Sequence, residues 1–197
     1  MCPERFRCSP VHPARGAVTL ELALCLSVFF MLVFGTMEVC RALYVFNTVQ
    51  DVTREAARAA SMTDFSNADA MARLRRRALF HDVDSDGALP LVPNLTTARL
   101  RIEYLSMTAD GTVAAVNPMP ACPQANVLNC TANPFGPSCI RAVRASICRD
   151  AAGACAALPY EPVTGMVPGL AGMVIPVSAT VVKAETLGYR PGVNNCL

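Results

Sequence analysis

The chain has 197 residues, of which 53% are hydrophobic and 16% are charged, and its formal net charge is +2. This length fits one modest domain with appended segments, and the composition is typical of a membrane-attached protein rather than of a free cytosolic one. The small net charge gives no indication of a nucleic-acid partner.

The N-terminal region divides into a leader and an apolar segment. Residues 1–16 contain three prolines together with Arg5, Arg7 and Arg15, which predicts a basic leader peptide. No charged residue interrupts Leu22–Met37. Adding the flanking residues extends this run to a transmembrane helix over 17–46, long enough to span a bilayer.

Helical periodicity continues beyond the apolar run. Small and apolar residues recur at helical spacing from Ala42 to Ala60, while polar residues occupy the opposite face. We expect the apolar face to pack on the chain's own sheet or on a partner. A second short helix follows, with Ser66 and Asp69 in a loose capping box, so residues 47–80 are predicted to be helical.

Residues 81–197 are predicted to form an antiparallel β domain with Cys-rich loops. Residues 98–107 and 112–116 alternate around a turn and predict a hairpin, and further strands are expected over 139–149 and 174–186. Residues 117–138, rich in Pro, Asn and Cys, are predicted to form a loop. The predicted fold class is α+β: a long N-terminal helix, transmembrane in its first half and amphipathic in its second, followed by a small antiparallel sheet.

Cysteine usage indicates an oxidising compartment. Of the ten cysteines, six lie in the C-terminal part, and they are the disulfide candidates Cys122, Cys130, Cys139, Cys148, Cys155 and Cys196. Zinc is the alternative, but there is no CxxC motif. Six cysteines allow 15 pairings. If residues 139–148 form a strand, its ends are about 30 Å apart, which excludes a bond between Cys139 and Cys148.

An acidic segment resembles half of a calcium loop. Asp82, Asp84 and Asp86 alternate and are followed by Gly87, as in the first half of such a loop. The twelfth position is Pro93 rather than a bidentate Glu. Calcium binding and a simple polar turn are both compatible with this pattern, and no other cofactor is expected.

The start of the apolar run carries an acidic residue in a specific position. Gly16 is followed by Ala17, and Glu21 is the fifth residue counted from Ala17. A carboxylate at the bilayer edge needs a partner or must be neutral. This pattern resembles a type IV prepilin, which implies a processing site cut after Gly16 by a prepilin peptidase on the cytoplasmic side. An ordinary signal anchor and a cleaved secretory signal peptide are the alternatives.

The rest of the helix resembles a narrower family. Phe34, Gly35, Glu38 and Arg41, with "REAARAA" at 54–60, resemble the TadE-like proteins of the tight-adherence (Tad, or Flp) pilus system. "CIRAVRASICR", "LPYEP" and "PVSATVVKAE" are also similar. The resemblance implies a pilin-like fold and a pseudopilin that is needed to assemble an adhesion pilus. Its partners would be other pilin-like subunits and pilus assembly proteins.

The same resemblance implies a single-pass inner-membrane protein with a cytoplasmic N-terminus and a periplasmic C-terminal domain, either retained in the membrane or incorporated in a surface pilus. In such a protein, Glu21 would pair with the N-terminal amine that cleavage creates on a neighbouring subunit, and this pair would set the register between their helices. Glu38 and Arg41 are interpreted either as a local ion pair at the membrane edge or, with Glu21, Phe34 and Gly35, as helix–helix docking residues.

Two other functions are alternatives to the pilus role. The first is an uncleaved, signal-anchored periplasmic module for binding or adhesion, with or without calcium. An enzyme is not expected, because a hydrolase would need His81 with a nucleophile and an orienting acid, and a thiol oxidoreductase would need a CxxC motif.

Overall fold

The computed structural model describes residues 15–81, 94–150, 153–163 and 172–192, and residues 89, 92, 165 and 196 singly. It has an α+β fold with a long N-terminal helix and a small antiparallel sheet, which confirms the predicted fold class. Its helices are α1 (Arg15–Met62), α2 (Ala68–Ala78) and α3 (Pro123–Ala132). Its strands are β1 (Leu100–Met107), β2 (Val113–Ala115), β3 (Ala142–Ile147), β4 (Leu158–Pro159), β5 (Val174–Ile175) and β6 (Ala179–Lys183).

Helix α1 is one unbroken helix of 48 residues, about 72 Å long. Its most apolar 18-residue window has a mean hydropathy of 2.4 and contains no buried residue. Within the described part of the chain, α1 is the one helix long and apolar enough to cross a membrane, judged by length and composition. The N-terminal half of α1 therefore projects from the folded domain as an apolar rod.

The second half of α1 packs on the sheet of its own chain. The predicted apolar face is buried against β3 and β6, at Ala42, Val45, Val49, Val52, Thr53, Ala56, Ala57 and Ala60. Four of these residues are alanines, whose small side chains let the helix backbone lie close to the sheet. The Thr53 hydroxyl lies 3.1 Å from the hydroxyls of Ser178 and Thr180. Of the two predicted surfaces for this face, its own sheet is the one that covers it.

The four-stranded sheet has the order β2-β1-β3-β6, and all of its pairs are antiparallel. The predicted hairpin forms between β1 and β2, with Leu105 opposite Ala115. Alternate residues of the central strands face α1, and Leu100, Ala145 and Ile147 join the main core there. The period-2 pattern of the sequence thus corresponds to one face turned toward the helix.

The sequence predicts one strand over 174–186, and this prediction is wrong because the segment forms two strands. Val174–Ile175 pairs with β4 in a separate two-stranded sheet, whereas Ala179–Lys183 pairs with β3. Pro176 lies between them, and a proline has no backbone N–H to donate to a ladder. The chain therefore changes partner at this point instead of continuing one strand.

The predicted loop over 117–138 is also wrong, because it contains helix α3. Cys122 is its N-cap and Pro123 its first residue, a position that suits proline. The buried Asn126 accepts a hydrogen bond from the backbone N–H of Ile140 through Oδ1, at 2.8 Å. This contact and the disulfides hold α3 in place, so its stability does not come from an amphipathic pattern that the sequence displays.

Three disulfides join the six C-terminal cysteines, and the prediction of disulfide-stapled loops is confirmed. The pairs are Cys122–Cys196, Cys130–Cys139 and Cys148–Cys155, with Cα–Cα distances of 6.1, 4.8 and 4.9 Å. These distances lie within the usual range for a disulfide. The sequence analysis excludes a bond between Cys139 and Cys148, and in the structure each of them is bonded to another cysteine.

The predicted capping box at the start of α2 is wrong. Asn67 is the N-cap, and its side chain accepts from the backbone N–H of Ala70 at 3.0 Å. Ser66 instead donates from its hydroxyl to Asp64 Oδ1, at 2.6 Å. Both residue types can cap a helix, and the competing hydrogen bond to Asp64 decides which of them does so.

The segment after β6 returns to the C-terminal end of α1. Glu185 and Leu187 donate their backbone N–H groups to the carbonyl of Ser61, at 3.2 and 3.0 Å. Gly188 has a φ of +74° and lies so close to the backbone of Asp64 that a Cβ would collide with it. A glycine is required here for both reasons, and this close contact fixes the C-terminal segment against α1.

Candidate functional site: the processing segment and the Glu38 cluster

Gly16, Ala17 and Glu21, which we call the processing segment, lie in the first turns of α1. All three are exposed, and the carbonyl of Gly16 accepts a hydrogen bond from the Thr19 hydroxyl at 2.8 Å. A Cβ at Gly16 would meet no atom within 4 Å. The fold itself therefore places no steric demand on glycine at this position.

Glu21 stands among exposed apolar side chains of α1. Leu20, Leu22 and Leu24 around it are 64%, 58% and 61% exposed. No described residue forms a hydrogen bond or an ion pair with Glu21. If this half of α1 lies in a bilayer, the carboxylate needs a counter-charge from another molecule or must take up a proton.

Phe34 and Gly35 lie midway along α1 and are half-buried. The Phe34 ring stacks on that of Phe30, with ring centroids 6.0 Å apart. Phe34 is four residues before Glu38 and therefore shares its face of the helix. Glu21 lies seventeen residues before Glu38, about 26 Å along the axis, so the predicted residues form two separate sites.

The second site is built around Glu38, which is only 3% exposed. The Tyr160 hydroxyl donates to Glu38 Oε1 at 2.6 Å. The backbone N–H of Val163 donates to Oε1 and Oε2 of Glu38, at 3.3 and 3.2 Å. Arg41 Nη1 lies 3.2 Å from Oε1 and completes the ion pair. One carboxylate of α1 thus holds the turn that follows β4.

Arg41 also contacts the turn that follows β4. It donates to the carbonyl of Glu161 at 2.7 Å and to the Tyr160 hydroxyl at 3.2 Å. Its guanidinium carbon lies 5.3 Å from the centroid of the Tyr160 ring, within cation–π range. We call Glu38, Arg41 and Tyr160 the Glu38 cluster. It joins α1 to a turn that lies about 120 residues away in the sequence.

Burial and the neighbouring Glu38 carboxylate raise the pKa of the Tyr160 hydroxyl, with burial as the larger cause. The phenol therefore stays protonated and remains a donor to Glu38. Of the two sequence-based interpretations of Glu38 and Arg41, the local ion pair is the one that forms within the chain. The sequence did not indicate that the pair is buried and that the carboxylate also accepts hydrogen bonds from the chain's own turn.

Sequence reasoning did not identify Tyr160 or Val163 as members of this site. In the sequence, "LPYEP" at 158–162 indicates only a similarity to the family. That segment holds Tyr160 and Glu161 between two prolines, a rigid turn suited to presenting one side chain and two backbone groups to a partner. The signal was present, but nothing in the sequence joins it to Glu38.

The predicted calcium ligands Asp82, Asp84 and Asp86 lie outside the described residues. Among the residues that are described, no group of three or more His, Cys, Asp or Glu side chains could hold a metal ion. A shallow groove of about 320 Å³ runs between α1 and the β5–β6 segment, lined in part by Gln50, Arg54 and Thr180. The residues that line it include no titratable pair and no base beside a nucleophile.

Comparison with known proteins agrees with the resemblance of α1. The family model described as TadE-like protein matches residues 16–58, about a fifth of the chain. The match includes the processing segment, Phe34, Gly35, Glu38 and Arg41, and it confirms the predicted TadE-like resemblance over this range. A search of curated proteins and a search of solved structures each found no match. The match thus shows that helix α1 is similar to TadE-like proteins, and it does not extend into the β domain.

Proposed function

We propose that this chain is a pseudopilin-like subunit needed to assemble a Flp/Tad-type adhesion pilus. A prepilin peptidase would cut after Gly16 and leave Ala17 as the new N-terminus. Glu21 would then pair with the N-terminal amine of a neighbouring pilin-like subunit. The observation that carries this proposal is the exposed Glu21 on an apolar helix, without a hydrogen-bond or ion-pair partner among the described residues.

The charge pair explains why an acidic residue is tolerated there. A carboxylate at the centre of a membrane helix costs roughly 2.5–3.5 kcal/mol on insertion scales. Cleavage creates a positive amine about 6 Å along the axis from Glu21 of the same chain. Pairing with the amine of an adjacent chain would satisfy both charges. Because the two groups differ in height, it would also fix the axial stagger between subunits, so its main effect is register.

The proposed location follows from the same features. The N-terminus would be cytoplasmic, α1 would cross the inner membrane, and the β domain would lie in the periplasm. Three disulfides in the domain support an oxidising compartment. The proposed partners are the peptidase, other pilin-like subunits and pilus assembly proteins. The role we propose is structural, and we expect no catalytic activity.

A pair of variants tests the role of Glu21. Glu21→Ala should leave membrane insertion and the domain's melting temperature unchanged, because Glu21 lies outside the folded domain, but it should reduce pilus assembly. Glu55→Ala is the matched control, since Glu55 is an exposed carboxylate on the polar face of the same helix. Surface pili are counted in both strains, and the variant protein is quantified in the membrane fraction. Normal piliation with Glu21→Ala at wild-type protein levels would exclude the register role.

A further inference from the structure

The folded domain reaches α1 at a defined height. Glu38 is fully engaged with the turn at 160–163, and the buried face of α1 begins at Ala42. Residues such as Ala42 and Val45 therefore face their own domain, although the sequence-based span runs to residue 46. Residues 17–37 already measure about 32 Å, which matches the roughly 30 Å hydrocarbon core of a bilayer.

We propose that the membrane boundary lies at Glu38 and that the turn carrying Val163 is a lipid-contacting segment seated in the headgroup region. This inference rests on the proposed membrane anchor. It adds a second attachment to the bilayer, made by the β domain and separate from α1. The partner of this turn is the lipid surface itself. The turn is hydrogen-bonded to Glu38, where the membrane-spanning part of the helix ends.

The depth of Val163 follows from its hydrogen bonds. Its backbone N–H donates to both carboxylate oxygens of Glu38, so its main chain lies at the level of that residue. Its side chain is 72% exposed, the largest exposure among the described large hydrophobic residues. The headgroup region on each side of a bilayer is about 5–8 Å thick. An apolar side chain held at the hydrocarbon edge lies within that layer.

Neighbouring side chains of α1 suit the same layer. Val39, Leu43 and Tyr44 are 47%, 57% and 46% exposed in the two turns after Glu38. Tyrosine is enriched at membrane interfaces, where its ring is apolar and its hydroxyl is hydrated. Tyr44 lies about 9 Å beyond Glu38 along the helix, near the outer edge of the headgroup layer.

The charges at this level are arranged for apolar contact. Glu38 and Arg41 neutralise each other inside the Glu38 cluster, with side chains that are 2% and 14% exposed. Glu161 in the same turn is exposed and can remain in water above the lipid. Its negative charge gives no attraction to anionic lipids. A zwitterionic phosphatidylcholine surface is therefore sufficient, and the contact should not require acidic headgroups.

The test uses the full chain in phosphatidylcholine vesicles with fluorophores at single cysteines. Cys2, Cys8, Cys25 and Cys40 are first replaced by Ser, and the six disulfide cysteines are retained. Val163→Cys carries the probe. Val181→Cys is the matched control, because Val181 is 54% exposed and follows Thr180, which is held against Thr53 about 22 Å farther along α1. In a third variant, Cys25 is the one cysteine kept besides the six in disulfides, and it carries the probe; it is exposed in the apolar half of α1.

Vesicles that contain headgroup-nitroxide lipid should quench the probe at Val163 and leave the probe at Val181 unquenched. Equal quenching at the two positions, with the Cys25 probe quenched by acyl-chain nitroxide, would overturn the inference and leave the anchor intact. Protection of the Val163 probe from iodide without quenching by nitroxide lipid would indicate a second protein copy and would also overturn it. A Cys25 probe that stays in water would refute the membrane anchor itself.

Discussion

The hydrogen bond from Tyr160 to Glu38 should be a large contribution to the attachment of α1 to its domain. The two residues are 4% and 3% exposed, and the donor–acceptor distance is 2.6 Å. Tyr160→Phe keeps the ring in its place beside Arg41 and removes only the hydroxyl. Since a hydrogen bond to a charged group contributes about 1.5–3 kcal/mol, the free energy of unfolding should fall by that amount. For a chain of this size the melting temperature should fall by roughly 3–12 °C.

Tyr104→Phe is the matched control for this measurement. The Tyr104 hydroxyl is also part-buried, but its partner is the neutral Sδ of Met71 at 3.6 Å. Its removal should cost less than about 1 kcal/mol, because thioether sulfur is a weak acceptor. Both variants are unfolded by guanidinium and by heat as full chains in detergent micelles with disulfides intact, and far-UV circular dichroism follows the transition.

Equal destabilisation by the two variants would refute the reasoning. It would mean that the Glu38 carboxylate is satisfied without Tyr160 and that the turn at 160–163 is held by other contacts. A loss confined to Tyr160→Phe, together with faster proteolysis of that turn, would agree with the geometry. Neither result depends on processing after Gly16.

Two further predictions concern stability. Gly188→Ala should destabilise the domain clearly more than Gly111→Ala: both glycines have positive φ, at an expected strain of about 1–2 kcal/mol, but only Gly188 lies against another backbone, that of Asp64. Equal free energies of unfolding for the two variants would contradict the proposed close contact. Burial raises the pKa of both Tyr104 and Tyr160. As the pH rises, these tyrosines therefore lose their protons at a lower pH in the unfolded chain than in the folded one. Their contribution to the free energy of unfolding should be fully present below about pH 10 and decline above it. The decline should be at most about 1.4 kcal/mol per pH unit for each tyrosine. Tyr104→Phe should reduce that slope, and an unchanged slope would refute the contribution of Tyr104.

Much of α1 could be predicted from the sequence because its signals are local. The uncharged run Leu22–Met37 indicates lipid exposure, and the spacing of apolar residues after Ala42 indicates one buried face. The hairpin of β1 and β2 is likewise encoded by alternation around a short turn. In each case the residues that decide the structure lie within a few positions of each other.

The Glu38 cluster could not be predicted, for a physical reason. The spacing of Glu38 and Arg41 gives an ion pair on one helix face, but its burial depends on a turn 122 residues away from Glu38. The same holds for Gly188, whose need for glycine is created by Asp64. Short elements such as α3 were missed because disulfides and the Asn126 hydrogen bond stabilise them, and neither gives a periodic pattern.

The N-terminus of the mature protein tests the central claim most directly. The full chain is produced in cells with the prepilin peptidase of a Tad pilus system, and its intact mass and N-terminal sequence are determined. Gly16→Phe serves as the control, because no atom lies within 4 Å of a Cβ there and the fold should be unaffected. The account predicts a protein that begins at Ala17 and a variant that stays uncut. A wild-type protein that still begins at Met1, while the peptidase cleaves a known prepilin in the same cells, would contradict it.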